Sequence, residues 1–147
     1  MRALIQRVEE ASVEVDDKIV SQIDSGLLIF IGFHKDDKKS NIDYLINKII
    51  NLRIFSDDND KMNLSIKDNS KSVLIVSQFT LYGDVKKGRR PSFIDSLDPK
   101  LANEFYIEFV NSMKKEIKNV QTGIFQAKMK VHLINDGPVT FIIDSKD

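Results

Sequence analysis

The chain has 147 residues, with 22 basic side chains against 22 acidic ones, two histidines and no cysteine. That length suits one domain over 1–147, able to hide roughly 68–70% of its unfolded surface without a disulfide or metal staple. The missing cysteines exclude a disulfide framework, thiolate-held zinc and a cysteine nucleophile, and the balanced charge leaves no global field for nucleic acid, so any RNA contact must be local.

Residues 2–8 alternate, with Leu4, Gln6 and Val8 opposite Ala3, Ile5 and Arg7, which predicts a strand. The segments Ser12–Val15 and Ile19–Ile23 continue that pattern around a turn at Asp16 and Asp17. The opening MRALIQRVEEASVEV lacks the apolar core of a signal peptide, and no run approaches the roughly 20 apolar residues of a membrane span. A cytoplasmic protein with no membrane partner is expected. Gly26 then opens LLIFIGF, a continuous apolar run rich in β-formers, expected as a central strand covered on both faces.

From Ser40 the period changes to helical. Ile42, Leu45, Ile46, Ile49 and Ile50 share a face, and Ser40 is placed to cap with Asp43. A short strand is expected at Leu52–Phe55, then the polar turn SDDNDK and a strong strand over Val73–Phe79. A second helix should start at Asp98, with Pro99 in its first position, and bury Leu101, Phe105, Phe109 and Met113. Near the end, Phe125, Ala127, Met129, Val131 and Leu133 alternate with Gln126, Lys128, Lys130 and His132. With VTFIID beyond NDG, 125–143 reads as a hairpin with an unusual corner. The fold class is α+β: one domain of mostly antiparallel, barrel- or sandwich-like layered sheet, with two main helices packed on one side.

Several chemistries find no support. The two histidines, His34 and His132, are far apart and lack ligand spacing, so no metal site is expected. Asp57, Asp58 and Asp60 cluster in a turn without the spacing of a calcium loop. Gly-rich phosphate loops and a G-x-S-x-G elbow are absent, and no cofactor is expected. Two stretches and one patch remain. IVSQFTLYGD, 75–84, begins as a core strand and then carries Ser77, Gln78 and Thr80. Either the strand ends there with its polar groups bonded to backbone, or its end exposes N–H groups that form an oxyanion hole beside the Thr80 hydroxyl. NDGPVT, 135–140, is either ordinary turn chemistry or a cis Gly137–Pro138 corner. VKKGRRPS, with Lys86, Lys87, Arg89 and Arg90 around Gly88, is either a solvated basic loop or one that contacts phosphates.

These stretches carry a resemblance. IQRVEEASVEV, NLRIFSDDNDKMNLS, SQFTLYGD, KKGRRPSF and NDGPVT occur in this order, and the chain resembles the D-aminoacyl-tRNA deacylase (D-tyrosyl-tRNA deacylase) family over essentially its full length. Gly83, where alanine is common, is a minor departure. The resemblance implies a homodimer with shared active sites: Ser77, Gln78, Phe79 and Thr80 line a pocket in one subunit, and Gly137 and Pro138, in cis, reach in from the other. Arg7 matches the arginine that orients that dipeptide. It further implies hydrolysis of the ester between a D-amino acid, or mischarged glycine, and the terminal ribose of tRNA, with the L isomer excluded sterically.

Two chemical assignments follow from that resemblance. Thr80 could be a nucleophile forming an acyl-enzyme, but no histidine or lysine base stands beside it in the sequence. The favoured assignment has backbone N–H donors near Phe79 and Thr80, with the substrate's ribose 2′-hydroxyl helping to activate water. The tRNA partner would then engage Lys86, Lys87, Arg89 and Arg90, with Lys128 and Lys130 as weaker candidates. The alternatives are a non-catalytic module that holds the tRNA acceptor end, and a small-molecule esterase using Thr80 or Ser77.

Overall fold

The structure is a computed structural model and describes residues 1–146. Strand β1, Arg2–Val15, organises the sheet. Along one edge its first half pairs antiparallel with β3, Gly26–Gly32, and its second half with β2, Lys18–Ile23. Along the other edge it pairs antiparallel with β8, Lys130–Asp144. Beyond β3 lie β6, Ser72–Ser77, and β7, Val120–Thr122, both parallel to their neighbours. The turn expected at Asp16 and Asp17 is present, with both residues at positive φ, 50° and 61°, as a tight right-twisted hairpin requires.

The parallel pairings explain the continuous apolar runs. Leu27, Ile29, Ile31, Val73 and Ile75 face the helices, while Leu28, Leu74 and Val76 belong to a second core built only from strands. Both faces of β3 and β6 are therefore covered, and their sequences show no polar alternation. Gly26 is required at the start of β3, because an added Cβ would lie 1.9 Å from the Ser72 carbonyl oxygen. The nearly closed, barrel-like sheet and two helices match the expected α+β class.

Helix α1, Ser40–Ile50, buries the five expected residues, but Ser40 does not cap it. The turn before it already holds Asn41 N–H on the Lys38 carbonyl and Ile42 N–H on that of Lys39, which places Ser40 inside the helix. Helix α2, Pro99–Glu116, starts as expected: the Asp98 carboxylate accepts from the Lys100 and Leu101 amides, with Pro99 first in the helix. Phe105, Phe109 and Met113 are buried, whereas Leu101 is 40% exposed because it lies on the rim. The strand expected at Leu52–Phe55 is confined to β4, Phe55–Ser56, paired with β5, Met62–Leu64.

The larger correction concerns 125–143, which is not a hairpin. Residues 124–129 form a loop, with Gln126 at φ 63°, and β8 is a single strand. Gln6 pairs with Thr140 and Val8 with Asn135, so Asp136, Gly137, Pro138 and Val139 all stand opposite Arg7. The corner is a bulge within one strand, because both of its flanks pair with β1 in the same direction. No helix among the described residues is long and apolar enough to cross a membrane.

Candidate active site

Strand β6 stops at Ser77, earlier than the expected Phe79. The Gln78 amide still reaches the Ile31 carbonyl at 2.8 Å, and the chain then winds into a 3₁₀ turn over Phe79–Tyr82. This turn breaks the alternation that would have put Ser77 with Phe79 and Gln78 with Thr80. A cavity of about 720 Å³ opens beside it, lined by Ser77, Gln78 and Phe79, by Phe93 and Ser96, and by Phe125 and Met129. That volume lies within the usual range for small-ligand pockets. Thr80 is exposed and does not line the cavity.

The first amides of a helical turn have no intrahelical acceptor. Here the Phe79 and Thr80 N–H groups find no hydrogen-bond partner among the described residues. The Thr80 hydroxyl accepts from the Gln78 side-chain amide, and no imidazole, amine or carboxylate contacts it among the described residues. The one ionisable side chain in the lining is Asp98. Its carboxylate caps α2, accepting from the Lys100 amide at 3.0 Å and the Leu101 amide at 3.4 Å. The cleft therefore offers apolar walls, the Phe79 amide with that of Thr80 next in the chain, and, among the described residues, no free general base of its own.

The bulge in β8 is held from its base. Asn135 Nδ2 donates to the carbonyls of Arg7, at 3.0 Å, and Val139, at 3.2 Å, bracketing the protruding residues. Val139 is buried in the helix-side core. The Arg7 guanidinium lies 2.8 Å from Asp136 Oδ2 through Nε, a charge contact without a well-aligned hydrogen bond. Its Nη1 donates to the Ile54 carbonyl at 2.7 Å. The Gly137–Pro138 peptide is cis, and both residues are exposed. Neither lines the cavity of its own chain.

The basic patch forms a loop closed by the paired backbones of Asp84 and Ser92, at 2.8 and 2.9 Å. Gly88 sits at its tip with φ 72°, a region L side chains rarely adopt. Lys86, Lys87, Arg89 and Arg90 are exposed and make no ion pair among the described residues. Lys130 differs: it pairs with Glu14 at 3.0 Å and Asp17 at 3.2 Å. His132 contacts the other oxygen of Glu14 at 2.9 Å, and His34 lies beside the Tyr82 ring. Neither histidine lines the cavity.

Sequence reasoning missed several participants. Phe93 appeared only as the last residue of the KKGRRPSF motif and Ser96 lay in a stretch given no reading, although apolar Phe93 and Ile94 in polar surroundings were a usable signal. Phe125 and Met129 are apolar as expected, but the strand expected from Phe125 begins only at Lys130 and leaves both in the loop before it. Asn135 and Asp136 look like turn residues, and only the non-local pairing of β8 with β1 reveals them as supports.

Fold and cleft define the class first: a one-domain, barrel-like α+β protein whose apolar pocket meets unpaired amides at the end of a central strand. Residues 4–144 match the family described as D-Tyr-tRNA(Tyr) deacylase. The D-aminoacyl-tRNA deacylase of Thermosipho africanus (strain TCF52B) is 58% identical over 146 residues, 99% of this chain and 98% of that protein. A solved structure described as c-Myc DNA Unwinding Element Binding Protein is 36% identical with a TM-score of 0.93, covering 98% of both chains. A probable eukaryotic D-amino acid tRNA deacylase shares the fold at 18% identity, with a TM-score of 0.84 over 97% of both chains. The chain belongs to the D-Tyr-tRNA(Tyr) deacylase family, and it is a hydrolase of carboxylic esters.

Proposed function

We propose that the protein cleaves the ester between a D-amino acid, or glycine, and the terminal ribose of tRNA, acting as a homodimer whose sites are shared. The carrying observation is the split between the two motifs. The Phe79 and Thr80 amides are unpaired among the described residues and Phe79 lines a cavity, while the exposed Gly137–Pro138 corner lies outside that cavity in its own chain. A second copy completes the site by bringing its corner over the first copy's cavity. Next to the corner, Leu4 pairs with Phe30 on one side and with Ile142, 65% exposed, on the other. This apolar strip suits burial against another copy.

In the completed site, the Phe79 and Thr80 amides bind the ester carbonyl oxygen as negative charge develops on it. Water attacks the carbonyl carbon, assisted by the neighbouring 2′-hydroxyl, and the ribose 3′-oxygen leaves with a proton. This division of labour suits a cavity whose one carboxylate is engaged in capping. Thr80, whose oxygen accepts from Gln78, serves as framework. Ser77 and Gln78 shape the wall, and the partner's Gly137 and Pro138 carbonyls occupy the space of an L side chain. D and L substrates carry the same groups, so selection comes from repulsion, and glycine passes because it has no side chain to clash. Lys86, Lys87, Arg89 and Arg90 engage phosphates near the acceptor end.

The deciding experiment presents D-aminoacyl-tRNA, L-aminoacyl-tRNA and a simple ester to the purified protein. Selective loss of the D-ester is expected. The name of the solved relative with a TM-score of 0.93 favours a second reading, nucleic-acid binding without hydrolysis. Tight tRNA binding with no ester loss would establish it, and indiscriminate hydrolysis would indicate an esterase. A substrate ending in 2′-deoxyadenosine should react at least about tenfold more slowly if the 2′-hydroxyl takes part in the proton transfer.

A further inference from the structure

We propose that Ser96 is a positioning residue that sets the direction of the Thr80 N–H, an inference that rests on the amide-donor reading of the site. The Phe79 carbonyl and the Thr80 N–H belong to one planar trans peptide and point in opposite directions. Whatever holds that carbonyl therefore aims that amide. The Ser96 hydroxyl donates to the Phe79 carbonyl at 3.3 Å, and Ser96 also lines the cavity.

A donor can orient a peptide only if it is itself fixed. Ser96 lies in a strap, 93–97, tied to the segment that follows β3. Lys35 N–H reaches the Asp95 carbonyl at 3.0 Å, Leu97 N–H reaches the Phe33 carbonyl at 3.0 Å, and Lys35 Nζ pairs with Asp95 at 2.7 Å. Ser96 N–H closes the strap internally on the Phe93 carbonyl at 3.0 Å. The Phe93 ring meets the Phe79 ring edge-on, with centroids 5.0 Å apart. Ring contact and hydroxyl thus hold the Phe79–Thr80 peptide from one side, leaving its N–H free on the other.

The test compares full-length wild type, Ser96→Ala and Ser96→Thr, with D-tyrosyl-tRNA as substrate and with amide NMR on the free protein. Loss of one orienting hydrogen bond should lower the kcat of Ser96→Ala about fivefold, with KM and melting temperature unchanged. Ser96→Thr keeps the hydroxyl and should restore kcat. The Thr80 amide resonance should shift in the alanine variant and return in the threonine variant. An unchanged kcat, or a loss confined to KM, overturns the inference, as does a Thr80 resonance that does not move. Wild type without activity on any aminoacyl-tRNA would instead overturn the deacylase reading, and the resonance would still decide whether Ser96 aims the amide.

Discussion

Arg7 joins two parts of the chain far apart in sequence, the Ile54 carbonyl and the Asp136 carboxylate. Lysine has one point charge and cannot reproduce this fork, so Arg7→Lys should let the corner wander. We expect that variant to remain folded but to hydrolyse L-aminoacyl-tRNA measurably, as a fall in the D-to-L rate ratio of about tenfold or more. At the opposite extreme, Phe109 is fully buried among both helices and the sheet. Phe109→Ala should cost about 3–5 kcal/mol in urea unfolding. Thr80→Ala should retain hydrolysis within about tenfold of wild type, because no base contacts the hydroxyl among the described residues; complete loss of turnover with substrate binding intact, or a trapped acyl-threonine, would reinstate it as the nucleophile. Ser77, Gln78 and Thr80 were legible as a polar break in an apolar run, whereas Phe79 was singled out only by the family resemblance. The outward turn of Thr80 was not legible, because strand alternation does not foresee a 3₁₀ turn.

Among the elements, α2 was readable to its first residue, since a capping aspartate followed by proline is local chemistry. Asp98→Ala should cost about 1 kcal/mol, read from the unfolding midpoint. The final strand was misread for the opposite reason. Asn-Asp-Gly-Pro carries the local signature of a reversal, yet β1 pairs with the chain before and after it in one continuous direction. Pairing across more than a hundred residues overrides turn chemistry, and nothing within 125–143 records it. Parallel pairing of β3 with β6 was hidden in the same way, although the burial it causes was plain in the apolar runs.

For the whole molecule, balanced charge makes local fields decisive. Neutralising Lys86, Lys87, Arg89 and Arg90 together should weaken tRNA binding and flatten the dependence of log K on log salt by about one unit for each phosphate no longer neutralised. Stability has its own acid-sensitive sites. The Ser65 amide and hydroxyl hold the Asp68 carboxyl below its ordinary range, and the Asn63 side chain with the Lys61 amide does the same for Asp57. Both are depressed on folding, so their contribution is present above the unfolded value and is lost as pH falls through the folded one. Asp68→Asn should therefore make the acid limb of the stability profile shallower, as followed by urea unfolding at a series of pH values.

If the sites are shared as proposed, a corner that does not line its own chain's cavity separates the two halves of a site genetically as well as spatially. Phe79→Pro removes an amide that has no acceptor among the described residues, and Pro138→Ala alters the corner, so each damages a different half. Two such variants, each inactive alone, would form mixed dimers when unfolded and refolded together. Every mixed dimer would place one undamaged corner over one undamaged cavity. About a quarter of all sites in a random mixture would then work again, so activity recovered from two dead preparations would itself be a count of shared sites.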